Sequence, residues 1–235
     1  MTDPLSSSLK NPCQPHLSAR DLCRSFKIGP RKIDVLRGIS LDVYRGECVF
    51  LVGASGAGKT TLLYTLAGLE RPESGSVIFD GRDLYAASGR EQARVRNERM
   101  GFIFQGYFLL PELTALENVM LPMLIDHRAD PAAAELALER VGLAERKHHL
   151  PAELSGGEQQ RVAIARAIIN DPSVIFADEP TGNLDSKTGE TIMDLLLALV
   201  RENQKTLLIV THDARLAERG DRKVEIVDGL LKKEA

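Results

Sequence analysis

The stretch GASGAGKTT at residues 53–61 lies between an apolar run, CVFLV, and a helix-forming sequence, LLYTLAG. It matches the pattern G-x-x-x-x-G-K-[ST] in full, with Gly53, Gly58, Lys59 and Thr60 at the defining positions. In this pattern the glycines let backbone N–H groups face phosphate oxygens, and the start of the following helix adds partial positive charge. A chance glycine turn before a helix is the alternative interpretation. We call residues 53–61 the phosphate loop.

The phosphate loop as a whole is predicted to bind a nucleotide, through Gly53, Ala54, Ser55, Gly56, Ala57, Gly58, Lys59, Thr60 and Thr61. We expect the lysine to contact the β and γ phosphates and the hydroxyl of Thr60 to hold Mg²⁺.

Further apolar runs predict a parallel sheet around this loop. Short runs rich in β-branched and aromatic residues are typical of strands buried on both faces. They occupy residues 48–52, 101–104, 173–177 and 206–210. Helix-forming stretches lie between them at 59–68, 132–141, 158–170 and 187–202. This alternation indicates an α/β fold, and the alternating segments LSARDLCRSF and ISLDVY add half-buried strands.

Polar side chains follow these runs, at the strand ends where α/β sheets bind ligands. Gln105, the pair Asp178 and Glu179, and His212 are expected at one rim with the phosphate loop. Neighbouring side chains at a strand end point to opposite sides. We therefore assign Asp178 to the metal shell and Glu179 to polarising the attacking water, with a buried structural carboxylate as the alternative.

The other two rim residues have weaker signals when each is taken alone. His212 is predicted to be catalytic, through a hydrogen bond to the γ phosphate, although a lone histidine is more often a satisfied polar residue. Gln105 could ligate Mg²⁺ and position water. The predicted metal ligands are thus Thr60, Gln105 and Asp178.

A second glycine pair occurs in ELSGGEQQR, at Ser155, Gly156, Gly157 and Glu158. Ser155 with Glu158 three residues later is a capping box, so a good helix start is the simpler interpretation. Capping does not require two glycines, which allow a ligand or another backbone to approach closely. We expect this signature loop (residues 155–158) to close over ATP held by a second copy of the chain, in an ATP-dependent head-to-tail dimer.

Bulk properties exclude some classes of protein. The 235 residues carry a net charge of −3, which argues against a nucleic-acid partner. The three cysteines show no zinc-type spacing and fit a reducing cytoplasm. No apolar run is long enough to span a bilayer, so membrane spans would come from another chain. Residues 1–16, rich in Pro, Ser and Asn, are predicted to be a disordered extension of a domain at 17–235.

The ensemble of motifs resembles the ATP-binding subunits of ABC transporters: GASGAGKTT, FIFQ, LSGGEQQR, VIFADEP, TGNLD and VTHD occur in that order. The resemblance implies a P-loop NTPase parallel-sheet core with an antiparallel β subdomain and an α-helical subdomain inserted at about 106–165. It implies that residues 183–185 communicate across the dimer and that Phe26 stacks on adenine, core packing being the alternative. It also implies integral membrane permeases as partners, at the cytoplasmic side of the bacterial inner membrane.

Within this family, TGNLDSKT is similar to the branch of lipoprotein-releasing, macrolide-export and cell-division ATPases, and FQGYFLLPELTALENVMLP is most similar to the lipoprotein-releasing (LolD) type. Export of macrolides or peptides, or a cell-division role, is the alternative. A DNA-repair or ribosome ATPase lacks support because long coiled coils and zinc inserts are absent. A P-loop kinase or GTPase would leave ELSGGEQQR unexplained.

Overall fold

A computed structural model describes residues 14–232 of the chain. Its strands are β1 Leu17–Ile28, β2 Arg31–Val43, β3 Cys48–Val52, β4 Ser74–Phe79, β5 Arg82–Asp83, β6 Met100–Phe104, β7 Val174–Asp178, β8 Thr206–Val210, β9 Arg222–Val227 and β10 Leu230–Leu231. Its α-helices are α1 Lys59–Leu66, α2 Gly89–Arg99, α3 Ala115–Ile125, α4 Pro131–Arg140, α5 Gly156–Ile168, α6 Ser186–Glu202 and α7 Ala214–Ala217. No helix within 14–232 is both long enough and apolar enough to cross a membrane.

The strands form two sheets. The larger has the order β10-β9-β3-β8-β7-β6, in which the strands from β9 to β6 are parallel and β10 is antiparallel to β9. The smaller sheet, β2-β1-β4-β5, is antiparallel throughout. The predicted α/β class, with a parallel core and an antiparallel subdomain, is confirmed.

Both faces of the parallel sheet are covered, which explains its continuous apolar runs. In β3, Val49 and Leu51 join the core shared with α1 and the small sheet. Their neighbours Cys48 and Phe50 join the core shared with α3 to α6 on the opposite face. Because successive side chains of a strand point to opposite faces, a strand covered on both sides needs apolar residues at every position.

Between β6 and β7 the chain forms no strand. This segment contains α3, α4, two 3₁₀ turns at Ala144–Arg146 and Pro151–Glu153, and α5. Helix α5 packs against α3 and also against β6, and it continues to Ile168. The helices match the predicted insertion, whereas its division from the sheet core at about 106–165 stays a prediction.

The prediction that residues 1–16 are a disordered extension is wrong for His16, and residues 1–13 lie outside the described part of the chain. His16 is 1% exposed. Its Nδ1 lies 2.7 Å from the Thr206 hydroxyl and its Nε2 lies 3.2 Å from the Ser173 hydroxyl. Those two residues start β8 and precede β7, so His16 ties the entry of β1 to the bottom of the parallel sheet. The polar, Pro-rich composition of residues 1–16 did not indicate that His16 would be buried.

Candidate nucleotide site

The phosphate loop follows β3 and precedes α1, and two of its glycines cannot be replaced without moving the chain. Gly53 and Gly58 have φ values of 147° and 101°. A Cβ at Gly53 would lie 2.2 Å from the carbonyl oxygen of Ile226, and one at Gly58 would lie 2.8 Å from that of Val35. The loop is therefore held between β9 and β2. The turn after β9 adds a further contact, in which the Gly229 N–H donates to the Ala57 carbonyl at 3.2 Å.

Helix α1 begins without a side-chain cap. Its N-cap residue, Gly58, makes no capping hydrogen bond, whereas each of the other six α-helices within 14–232 starts with a capping serine, threonine or aspartate. The first N–H groups of a helix have no partner inside the helix. At α1 these donors, together with the positive end of the helix dipole, are left to an anion in the loop.

Lys59 lies inside the loop and its ammonium group donates to two of the loop's own carbonyls. Its Nζ is 3.0 Å from the oxygen of Gly53 and 2.8 Å from that of Ala54, and the residue is buried. An ammonium group has three donors. These two hydrogen bonds therefore hold the Lys59 ammonium group against the backbone of the phosphate loop.

Thr60 and Asp178 come together beneath the loop. The Thr60 hydroxyl donates to Asp178 at 3.0 Å, although the two residues are far apart in sequence. Burial raises the pKa of Asp178, and hydrogen bonds from Tyr64 and Thr60 oppose this rise. A hydroxyl beside a carboxylate supplies the hard oxygen donors that Mg²⁺ prefers, so the pair fits a magnesium ion. No three His, Cys, Asp or Glu side chains in the described chain form a metal site by themselves.

Glu179 leaves the strand that Asp178 ends. Its φ of 43° is unusual for a residue with a side chain. Its Oε2 lies 3.2 Å from Nδ1 of His212. The two neighbouring carboxylates therefore have different partners.

Gln105 is not paired with the other two predicted metal ligands. Its amide donates to the Asn183 side chain at 3.2 Å, and Asn183 donates back to the Gln105 carbonyl at 2.9 Å. Both contacts lie next to Gly182, where an added Cβ would be 2.8 Å from the Gln105 amide nitrogen. Gln105 is thus connected to the segment before α6.

The signature loop has the capping box expected from its sequence. The Ser155 hydroxyl accepts from the Glu158 N–H at 3.3 Å, and Ser155 donates from its N–H and its hydroxyl to the Glu158 carboxylate at 2.8 Å. These hydrogen bonds lower the pKa of Glu158. Near its two glycines the loop contacts other parts of the same chain. A Cβ at Gly156 would lie 3.0 Å from the Tyr107 hydroxyl, and one at Gly157 would lie 2.7 Å from Thr188.

Phe26 lies on β1, where it pairs with Ile33 of β2 and is partly exposed. The Arg24 guanidinium covers its ring at 4.8 Å from the centroid. Val35, two residues beyond Ile33, is the residue that contacts Gly58. The Phe26 ring therefore belongs to the part of the small sheet that borders the phosphate loop.

Comparison with known proteins places this site in a family. The family model described as ABC transporter matches residues 36–182. This chain belongs to the ABC transporter family of ATP-binding proteins. Membership confirms the predicted P-loop fold and the predicted class of enzyme, an ATPase.

Individual relatives and solved structures agree with this assignment. The chain is 54% identical to the lipoprotein-releasing system ATP-binding protein LolD of Syntrophotalea carbinolica, over 92% of this chain and 96% of that protein. It is 50% identical to LolD of Myxococcus xanthus, over 91% and 96% of the two chains. Among solved structures, the dimeric ATP-binding cassette MJ0796 in a post-hydrolysis state bound to ADP and Pi matches with a TM-score of 0.86, at 39% identity over 93% of this chain and 97% of that one.

Proposed function

We propose that this chain is the ATP-hydrolysing subunit of a transporter that releases lipoproteins from the bacterial inner membrane. The observation that carries the proposal is its 54% identity to a lipoprotein-releasing ATP-binding protein over 96% of that protein. The chain would act at the cytoplasmic side of the membrane, as a peripheral subunit, and integral membrane permeases would supply the membrane spans.

The nucleotide in this proposal is ATP, held by the phosphate loop. The uncapped start of α1 and the shaped backbone at Gly53 and Gly58 support this role. Lys59 would exchange its two carbonyl partners for phosphate oxygens, and Phe26 would stack on adenine from the neighbouring sheet.

Mg²⁺ would be held by Thr60 and Asp178, whose side chains are already 3.0 Å apart. The ion neutralises phosphate charge when it is bound. Gln105 donates to Asn183 through its amide nitrogen, so its side-chain oxygen would be the atom that serves as a third ligand. We propose that Gln105 ligates the metal through this oxygen while its amide nitrogen remains bonded to Asn183.

Hydrolysis would depend on Glu179 and His212. Glu179 would accept a hydrogen bond from the attacking water and orient it toward the γ phosphorus. His212 lies 3.2 Å from Glu179 and would donate to a γ-phosphate oxygen. The water oxygen forms the new bond to phosphorus, the bond to the ADP oxygen breaks, and the water proton passes to solvent through Glu179.

The working unit in the proposal is a head-to-tail dimer of two copies. The signature loop of one copy, Ser155 to Glu158, would close over the ATP in the phosphate loop of the other. The dimeric state of the related cassette MJ0796 supports this arrangement. In the single chain Ser155 already has a partner in Glu158, so the serine hydroxyl would turn from that carboxylate to the γ phosphate.

A groove of about 460 Å³ supports a permease partner. It runs between α2, β6 and α3, and its rim carries Phe108 and Ile125, which are 65% and 68% exposed. Exposed apolar side chains that are grouped along one groove, as here, are typical of interaction sites. We propose that a short cytoplasmic helix of the permease binds there, close to Gln105 in sequence and space.

The first test replaces Glu179 by Gln. The variant should bind Mg·ATP but lose about two or more decades of hydrolysis, because the water is no longer polarised. Light scattering at saturating Mg·ATP should then find a stable dimer. Glu202→Gln, an exposed glutamate at the end of α6, is the matched control and should behave as the unsubstituted protein. A Glu179→Gln protein that remains monomeric contradicts the proposed dimer.

The second test identifies the membrane partner. Tagged Glu179→Gln protein is isolated from gently solubilised native membranes, and the proteins that accompany it are identified by mass spectrometry. Permeases with large periplasmic domains, and no outer-membrane channel, would support lipoprotein release. A permease with a periplasmic adaptor and an outer channel would indicate export instead, and recovery of ribosomes or DNA factors alone would contradict a transporter.

A further inference from the structure

Arg166 of α5 is a cation whose hydrogen bonds go to backbone carbonyls. Its guanidinium donates to the carbonyl of Phe108 at 2.6 Å and to that of Tyr107 at 2.7 Å. No ion pair involves this side chain in residues 14–232. The Arg166 side chain is half-buried, and this burial lowers its pKa. A guanidinium whose hydrogen bonds to water are replaced by hydrogen bonds to two carbonyls restrains the position of both carbonyls.

The two carbonyls belong to a backbone segment in an unfavourable conformation. Tyr107 and Phe108 have φ values of 60° and 47°, in the left-handed region that bulky side chains avoid. The Phe108 N–H closes a tight turn to the carbonyl of Gly106 at 2.6 Å. Conformations of this kind persist only where the surroundings enforce them. Arg166 is the side chain that fixes both peptide units, in what we call the Gln105 loop (residues 105–108).

The same helix touches the Gln105 loop at a second point. The Tyr107 hydroxyl packs closely against the start of α5, where it lies 3.0 Å from the position that a Cβ would occupy at Gly156. Gly156 and Arg166 are separated by about 15 Å of helix. Two contacts so far apart make α5 and the Gln105 loop move together, since a helix resists bending over that distance.

We propose that Arg166 and Tyr107 are positioning residues that couple the signature loop to the Gln105 loop of the same chain. A displacement of Phe108 in the groove is carried through Arg166 and α5 to Ser155, and closure at Ser155 is carried back through Tyr107. The functional consequence of this coupling rests on the proposed function, because Phe108 lies at the proposed permease contact and Ser155 at the proposed dimer contact. The physical coupling itself requires neither partner.

Hydrogen exchange followed by mass spectrometry tests the coupling in the nucleotide-free chain. Arg166→Met keeps the aliphatic stem and removes both donations. We expect about tenfold faster exchange in peptides covering 105–110, as for the loss of a hydrogen bond to a charged group. Exchange should also rise in peptides covering 153–158, which Arg166 does not touch. Arg140→Met removes an exposed arginine of α4 and should change neither peptide.

Tyr107→Phe is the second variant, because it retains the ring and the Arg166 contacts and removes only the hydroxyl beside Gly156. We expect it to raise exchange at 153–158 while leaving 105–110 near the parent value. Circular dichroism identifies a variant that fails to fold. Unchanged exchange at 153–158 in both folded variants overturns the proposal, and a uniform rise over the whole chain does so too, because it indicates general loosening.

In the Glu179→Gln background the same peptides report on Mg·ATP. Dimer formation should slow exchange at 105–110 in the parent, and Arg166→Met should reduce that effect about tenfold. If dimer formation slows exchange at 105–110 equally with and without Arg166→Met, the proposed coupling is overturned. Failure of the parent to dimerise counts against the proposed function alone, and the nucleotide-free result then decides the coupling.

Discussion

Acidification should destabilise the protein through His16. Burial and the positive charge of Arg45 lower the pKa of His16 from 6.5 to about 4, while Asp80 opposes the shift and Arg99 adds to it. Arg99 and Arg45 both pair with Asp80, so the imidazole faces more positive than negative charge. The neutral ring can accept from Thr206 at Nδ1 and donate to Ser173 from Nε2, so both ring nitrogens have partners without a second proton.

The sign and size follow from the two pKa values. Between pH 6.5 and 4 the unfolded chain binds a proton that the folded chain does not, so the free energy of unfolding falls as pH falls. A shift from 6.5 to about 4 corresponds to at most about 3 kcal/mol below pH 4, at about 1.4 kcal/mol per pKa unit. At pH 5 the folded ring is still neutral and the loss is about 2 kcal/mol.

Denaturant unfolding of the unsubstituted protein and His16→Gln, each from pH 7.5 to 5, measures this loss. Glutamine can bond both hydroxyls and does not titrate, and the carboxylates titrate alike in the two proteins. The unsubstituted protein should lose about 2 kcal/mol more than His16→Gln over this range. Equal pH slopes in the two proteins, or an imidazole that titrates near 6.5 by NMR, would refute the reasoning.

Two further predictions concern the loops. Gly58→Ala should abolish nucleotide binding in a fluorescent-nucleotide titration, because its Cβ would lie 2.8 Å from the Val35 oxygen at a φ of 101°. The control Gly89→Ala, whose Cβ would lie in open space, should bind nucleotide normally. Tight binding by Gly58→Ala would contradict the proposed fit of the phosphate loop. Ser155→Ala should keep nucleotide affinity and stop turnover, and should lose about 1 kcal/mol of stability with its cap. The control Ser88→Ala removes the equivalent cap of α2 and should leave ATP turnover intact. Full ATPase activity in Ser155→Ala would exclude the proposed role of Ser155 across the dimer.

The sequence was sufficient for the core of the fold and insufficient at its edges. The runs at 48–52, 101–104, 173–177 and 206–210 all became strands, because burial on both faces leaves only apolar residues. Strand β9, RKVEIV, was missed because it alternates polar and apolar residues next to a charged turn. Helix α2, GREQARVRNER, was missed because none of its residues is buried, so it has no apolar stripe to reveal it.

In the site, local motifs could be found and long-range partners could not. The sequence identified Thr60 and Asp178 as members of one site, and the two are hydrogen-bonded. It did not reveal that Gln105 pairs with Asn183 or that Arg166 holds the Gln105 loop, because such contacts depend on backbone conformations without a sequence signal. The left-handed φ of Tyr107 is one of these, since nothing in its side chain favours that conformation.

The position of the phosphate loop against β9 has a consequence for biosynthesis. Strand β3 pairs with β8 and β9, and the loop rests against Ile226 and Gly229, all translated long after the loop itself. At 5–20 residues per second the ribosome needs about 10 to 30 s to reach them. Throughout that interval the nascent chain contains the phosphate loop but not the residues of β8, β9 and the following turn that contact β3 and the loop. We therefore expect nucleotide binding to follow the early stages of folding.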